Sequence, residues 1–215
     1  AKKRDNAMTN KILMGLIALV LGLLFLEILI VHSKNEQQKN ASNQVQTARI
    51  MANGDLLYHD GLYMSALQAD GSYAFTENFT YVKPWLKQAD LVLGDFEGTI
   101  NPDYPLSGYP LFNAPQSVRA AIWGAGYDVW DLAHNHILDS GYGGAFTTAD
   151  AFKGVGIAPV GVYENPVRDK APLFIKNVNG IKVAILSYAY GFNGLESNLT
   201  EKEIANHLSN LDEKR

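Results

Sequence analysis

The chain has 215 residues, 47% of them hydrophobic and only 19% charged, which is enough for one sizeable core and too apolar for a disordered chain. Its net charge is −4, and residues 32–215 carry 14 Lys+Arg against 20 Asp+Glu, a net of −6 that argues against a nucleic-acid partner, since phosphate binding needs a basic surface. There is no cysteine, so a disulfide framework, a thiolate zinc site and a cysteine nucleophile are all ruled out.

Ile12 to Val31 is a run of 20 residues interrupted by one charge, Glu27. At about 1.5 Å per residue such a helix spans roughly 30 Å, the thickness of a bilayer core. It is expected to be a single transmembrane helix; a cleaved secretory signal is the alternative, but no A-x-A-like site follows the run. Lys2, Lys3, Arg4 and Lys11 precede it, against Lys34 and Lys39 just after. The positive-inside bias then leaves residues 1–11 in the cytoplasm, makes 12–31 the anchor in the cell membrane, and exports the rest. Residues 32–47 are polar and without apolar periodicity, as in a solvated stalk, and an extracellular domain is expected over 48–215.

Arg49 to Asn53 reads as a short strand closed by Gly54-Asp55. Thr76 to Ala89 has Phe79, Val82, Leu86 and Ala89 at helical spacing, although Pro84 fits only near a helix start or a kink. Asp90 to Glu97 is a buried-type strand running into acidic residues, and Asn101 to Pro115, with four prolines, is a loop whose Asp103, Tyr104 and Tyr109 are candidates to line a groove. A helix over Pro115 to Ala125 leads to a strand at Tyr127 to Trp130; a helix at Gly143 to Val155 and a strand at Ile157 to Gly161 follow. Pro172 to Val178 and Ile181 to Tyr188 form a hairpin around Asn179-Gly180, the signature of a type I′ turn. Thr200 with Glu203 makes a capping box for a last helix, on which His207 is a lone histidine. Alternating strands and helices followed by a hairpin indicate an α/β domain with a mixed sheet and helices outside. Trp123 and Trp130 are expected in the core and Trp85 at its edge.

Chemistry concentrates where strands end. Asp131-Leu132-Ala133-His134-Asn135-His136-Ile137-Leu138-Asp139 packs two imidazoles, a carboxamide and two carboxylates into nine residues. Such a set suits a divalent cation or proton transfer, and read alone it is equally a helix cap. Gly54-Asp55 and Gly94-Asp95 add acidic groups at two other strand ends. If the three ends are neighbours, Asp95 is placed to bridge two metal ions, with Asp55 a ligand to one and Asn135 to the other. His136 would then protonate a leaving oxygen. The glycine before each aspartate would let the backbone turn sharply and admit a ligand.

Taken together, Gly54-Asp55, Tyr73-Ala74-Phe75 with Val82 and Leu86, Ala89 to Glu97, Phe112-Asn113-Ala114-Pro115, Gly126-Tyr127-Asp128-Val129, Ala133 to Gly141, and Gly156-Ile157 with Gly161 resemble the poly-γ-glutamate capsule-synthesis proteins of the CapA/PgsA type, over about residues 49–190. That family resembles calcineurin-like metallophosphoesterases, so the resemblance implies a metallophosphoesterase-like pair of mixed sheets flanked by helices, preceded by one transmembrane helix. It also implies a divalent metal such as Mn or Zn, and a role in making, exporting or anchoring an anionic polymer with its synthase subunits at a Gram-positive surface. Gly94-Asp95-Phe96-Glu97 stands where the family has Gly-Asn-Leu-Glu, so the resemblance makes either Asp95 or Glu97 a candidate acidic metal ligand. His59, His134 and Asp139 are assigned to the substrate side, with a surface role the alternative for His59. The family's late Trp-Gly-x-Glu-type and His-x-His segments have no counterpart in this chain, and an incomplete domain is expected. A non-catalytic scaffold of the synthase complex and a surface phosphoesterase unrelated to capsule are the competing functions.

Overall fold

The computed structural model describes residues 2–42, 45–163 and 173–198. The chain divides into two units, Ala1–Gln46 and Thr47–Arg215. The first is one long helix, α1 (Lys2–Ser42), within which Met14–Glu36 is long and apolar enough to cross a membrane. The expected stalk is therefore helical through Ser42 instead of irregular. Glu36, Gln37, Gln38, Lys39 and Ala41 are good helix formers, and adding them to an existing helix avoids the cost of a new nucleus.

The second unit is built on four parallel strands in the order β1 (Ile50–Leu57), β2 (Leu91–Glu97), β3 (Val129–Asp131) and β4 (Ala158–Val160). The crossovers carry α2 (Asp60–Ser65), α3 (Lys83–Leu86), α4 (Val118–Ala125) and α5 (Gly141–Lys153). A hairpin of β5 (Phe174–Val178) and β6 (Ile181–Ile185) forms a separate antiparallel sheet. Asn179 and Gly180 both have positive φ, 52° and 88°, as a type I′ turn requires. The four-stranded sheet is thus wholly parallel, and the antiparallel pairing is confined to the hairpin.

Alternation along β2 shows how the layers form. Val92 and Phe96 point to one face, into a large core shared with Val118 and Ile122 of α4, Ala149 and Phe152 of α5, and Trp130. Leu91 and Leu93 point to the other, where they meet Val129, Val160 and, from the hairpin, Val178, Phe174 and Val183. Helices cover one side of the sheet and the hairpin packs on the other. The first core is rich in rings: Phe96 lies 5.0 Å from Phe152, and Tyr127 stacks on Trp130 at 4.6 Å.

Several elements differ from expectation for local reasons. β1 does not stop before Gly54-Asp55 but runs through it. The predicted helix over Thr76 to Ala89 is broken into a 3-10 turn at Thr76–Phe79 and the short α3, because Pro84 lacks the N–H of a continuous helix and sits in the first turn of the second piece. Trp130 is fully buried as expected, but Trp123 is 58% exposed, since the buried face of α4 is set by Val118, Ala121, Ile122 and Ala125. Trp85 is exposed as well. The capping box at Thr200 and His207 lie outside the described residues.

Candidate metal centre

The site begins with a slip in register. Ile50 and Ala52 pair with Leu91 and Leu93, but the next aligned pair is Asp55 with Asp95, so β1 spends three residues where β2 spends two. This is a β-bulge, and a shift of one residue turns every later side chain to the opposite face. Without it Gly54 would face Asp95 and Asp55 would point into the helix-side core. With it Asp55 shares the face of Asp95 and Glu97, while Leu56 turns inward beside Phe96 and joins the core.

Glycine plays a different part in β2. A Cβ on Gly94 would fall 2.1 Å from Cζ3 of Trp130, so the indole packs directly on the glycine backbone. The residue before Asp95 is small for the core behind it, not for a sharp turn toward a ligand.

Three carboxylates result. Asp55, Asp95 and Glu97 each present an oxygen within 4.8 Å of the others. A fourth, Asp131, is aligned with Asp95 across β2 and β3, so Asp55, Asp95 and Asp131 occupy one row over three strands. Asp131 accepts hydrogen bonds from the Ala133 N–H at 2.9 Å and from the Ser187 hydroxyl. The crowding is visible in protonation. Burial, then the charges of Asp131, Asp55 and Glu97, push the Asp95 carboxyl up to about 7. Glu97 is raised too, by burial and by the neighbouring Asp55.

His136 borders this cluster. Its Nδ1 lies 2.8 Å from Asp139 Oδ2, and its Nε2 lies 3.7 Å from Glu97 Oε1. Asp139 Oδ2 also accepts the Phe112 N–H at 2.6 Å, which ties the proline-rich loop to the site and sets the Phe112 ring 4.7 Å from the imidazole. That loop is itself knotted by buried Asn113, whose Oδ1 accepts the Asn101 N–H and whose Nδ2 donates to the Asn101, Tyr104 and Pro105 carbonyls. With Nδ1–H given to Asp139, the imidazole turns Nε2 toward the carboxylates.

The other predicted site residues are placed as follows. Asp139 has no side-chain exposure and stands behind His136, and burial raises its carboxyl against the opposing pull of Phe112 and His136. His134 is buried as well; its Nδ1 accepts the His136 N–H at 3.1 Å, and desolvation holds it neutral, with a pKa of about 3. Asn135 is exposed and donates from Nδ2 to Asn193 Oδ1 at 3.1 Å. His59 is half-exposed, pairs with Asp60, and makes an edge contact with Phe112 at 5.7 Å. Tyr109 is exposed beside it, its N–H 3.5 Å from His59 Nε2. From the sequence Asp131 counts among the carboxylates of the histidine-rich stretch but receives no ligand role, and Asn193 is not singled out. Asp131 closes the strand that precedes the histidine motif, and Asn193-Gly194 is an ordinary turn signal, so neither announces itself.

This donor set fits a divalent cation. Asp95 Oδ1 is buried without a hydrogen-bond partner among the described residues, and the carboxylates repel one another until a cation or protons intervene. The donors are hard oxygens with an imidazole at the edge, suited to ions such as Mn²⁺, Mg²⁺ or Zn²⁺.

Two comparisons bear on the chain as a whole. A family model described as "Bacterial capsule synthesis protein PGA_cap" matches residues 49–214. The capsule biosynthesis protein CapA of Bacillus anthracis is 34% identical over 119 residues, which is 53% of this chain and 29% of that relative, so the chain matches less than a third of the relative's length. The matched segment takes in both Gly-Asp strands, the Pro-rich loop, the histidine motif and the hairpin, and the chain belongs to the PGA_cap family of bacterial capsule synthesis proteins.

Proposed function

We propose that this protein is a membrane-anchored component of capsule polymer biosynthesis, of the poly-γ-glutamate kind, working at the outer face of the membrane through a divalent-cation site of hydrolase type. Family membership supports the capsule role, and the apolar Met14–Glu36 helix supports the anchor. The observation that carries the enzymatic part is the convergence of Asp55, Asp95 and Glu97 within 4.8 Å beside a histidine already oriented by a buried carboxylate. A parallel sheet with helices on one face and a second sheet on the other is compatible with a metallophosphoesterase-like fold.

Asp55, Asp95 and Glu97 would hold the cation, and Asn135, joined to His136 through Asn193, would add a neutral side-chain oxygen. A bound divalent ion supplies Lewis-acid polarisation of a substrate oxygen. His136 holds its Nδ1 proton on Asp139, which leaves Nε2 facing the site as the atom that would take up a proton and pass it to a leaving group. Phe112 shields the imidazole from water on one side. An anionic polymer meets a domain of net negative charge, so a cation at the carboxylates also screens the substrate from repulsion.

The test uses the full chain in detergent. Mn²⁺ or Zn²⁺ should bind with the wild type and be lost in Asp95→Asn, and the loaded protein should change the length distribution of poly-γ-glutamate. Phosphate release from model esters without any effect on polymer would move the function to a phosphoesterase unrelated to capsule. A wild type that binds neither ion while co-purifying with synthase subunits would establish the scaffold role in its place.

A further inference from the structure

We infer, building on the cation site proposed above, that Asn193 is a positioning residue that locks Asn135 and His136 into one rigid arrangement. No sequence motif links these positions, which lie 57 and 58 residues apart in the chain. Asn193 uses both ends of its amide: Oδ1 accepts from Asn135 Nδ2 at 3.1 Å, and Nδ2 lies 3.3 Å from His136 Nε2, the ring nitrogen left free to accept once Nδ1–H is given to Asp139. A flipped amide would oppose its own NH₂ to that of Asn135, so the two contacts fix one orientation. Fixing Asn135 Nδ2 in turn fixes where Asn135 Oδ1, the atom that ligates cations, can point. Ligand side chains held in this way by outer hydrogen bonds bind metal more tightly than free ones.

The backbone is built to present this amide. Asn193 has φ 55° and Gly194 φ 83°, a left-handed pair that asparagine and glycine tolerate better than other residues. On either side Phe192 is buried and Leu195 packs against the same core, and the Leu195 N–H donates to the Phe192 carbonyl at 2.9 Å. The turn is therefore clamped to the domain, and its one polar tip reaches the site. Asn135 and Asn193 also line a cleft of about 520 Å³ together with His134, Tyr188, Phe192 and Glu196, so the pair sits in the wall of an open groove beside the histidine motif.

The experiment is a double-mutant cycle on Mn²⁺ affinity, measured calorimetrically with the full chain in detergent. Asn193→Gly suits the left-handed backbone and removes the side chain that carries the amide. It should weaken Mn²⁺ binding by about 10-fold or more, and that loss should vanish when Asn135 is already alanine, because Asn193 acts through it. Equal losses in both backgrounds, or no loss at all, would overturn the inference while leaving the carboxylate site intact. Failure of the underlying cation site is distinguished by Asp95→Asn: if that variant binds Mn²⁺ like the wild type, both ideas fall. Asn193→Ser, which keeps a polar tip on the same turn, guards against a folding artefact and should show the same dependence on Asn135.

Discussion

Gly54-Asp55 and Gly94-Asp95 are the same dipeptide on neighbouring strands, and they reach the same cluster by opposite means. In β1 the glycine stands in open space, with nothing within 4 Å of where a Cβ would be, and lies within a bulge that rotates Asp55 onto the face of Asp95. In β2 the strand is regular and the glycine is needed because Trp130 occupies the space of its side chain. One glycine serves backbone register and the other serves core packing. A repeated motif is thus no guide to a repeated cause: what matters is the layer behind each residue.

Substitutions can break this contrast or sharpen it. The largest effect is expected on the carboxylate that both strands surround: Asp95→Asn should weaken Mn²⁺ binding by more than about 100-fold, read by calorimetry, while raising the melting temperature of the metal-free protein because a repelled, half-buried charge is removed. Gly94→Ala comes next. Its methyl has no room beside the indole, and overpacking of this kind costs about 1–3 kcal/mol, visible as a lower denaturation midpoint. Gly54→Ala should change stability by less than about 1 kcal/mol, the cost of a strand glycine in open space. Equal losses at Gly54 and Gly94 would remove the distinction between them.

A smaller effect follows from pH. The folded Asp95 carboxyl titrates near 7, above its unfolded value, so the folded state holds a proton that the unfolded chain has released between the ordinary carboxylate range and about 7. Stability from this group is therefore present at lower pH and lost as pH rises through 7. Metal-free protein should melt at a higher temperature at pH 6 than at pH 8, and Asp95→Asn should flatten that difference. His134 works in the other direction. Held neutral down to about 3, it withholds a proton that the unfolded chain takes up below 6.5, so its contribution to stability drains away as pH falls from 6.5 toward 3. Thermal melts from pH 8 to pH 5 should show the acid-side gain levelling off below 6.5. With Mn²⁺ bound, the order at pH 6 and 8 should reverse, since protons then compete with the ion.

Much of this was legible before any coordinates. The apolar run, the strand at Leu91 to Glu97, the type I′ turn at Asn179-Gly180 and the presence of acidic or histidine motifs on three strands all follow from short-range signals: hydrophobic length, period-two alternation, turn chemistry. Periodicity alone failed at Thr76 to Ala89, where one proline outweighs four well-spaced apolar residues, and at Trp123, where a helix has one buried stripe and a large residue beside it stays outside.

The sequence by itself determined the residue types and their order: which strands carry carboxylates, that glycine precedes two of them, and that imidazoles follow the third strand. Only the tertiary structure decided which of these groups face one another. Whether Asp55 points at Asp95 or into the core depends on one extra residue in a ladder with its neighbour, and whether Asp131 and Asn193 belong to the site depends on a parallel register and a clamped turn. Those are long-range pairings, fixed by packing between segments dozens of residues apart, and no local pattern in the chain encodes them.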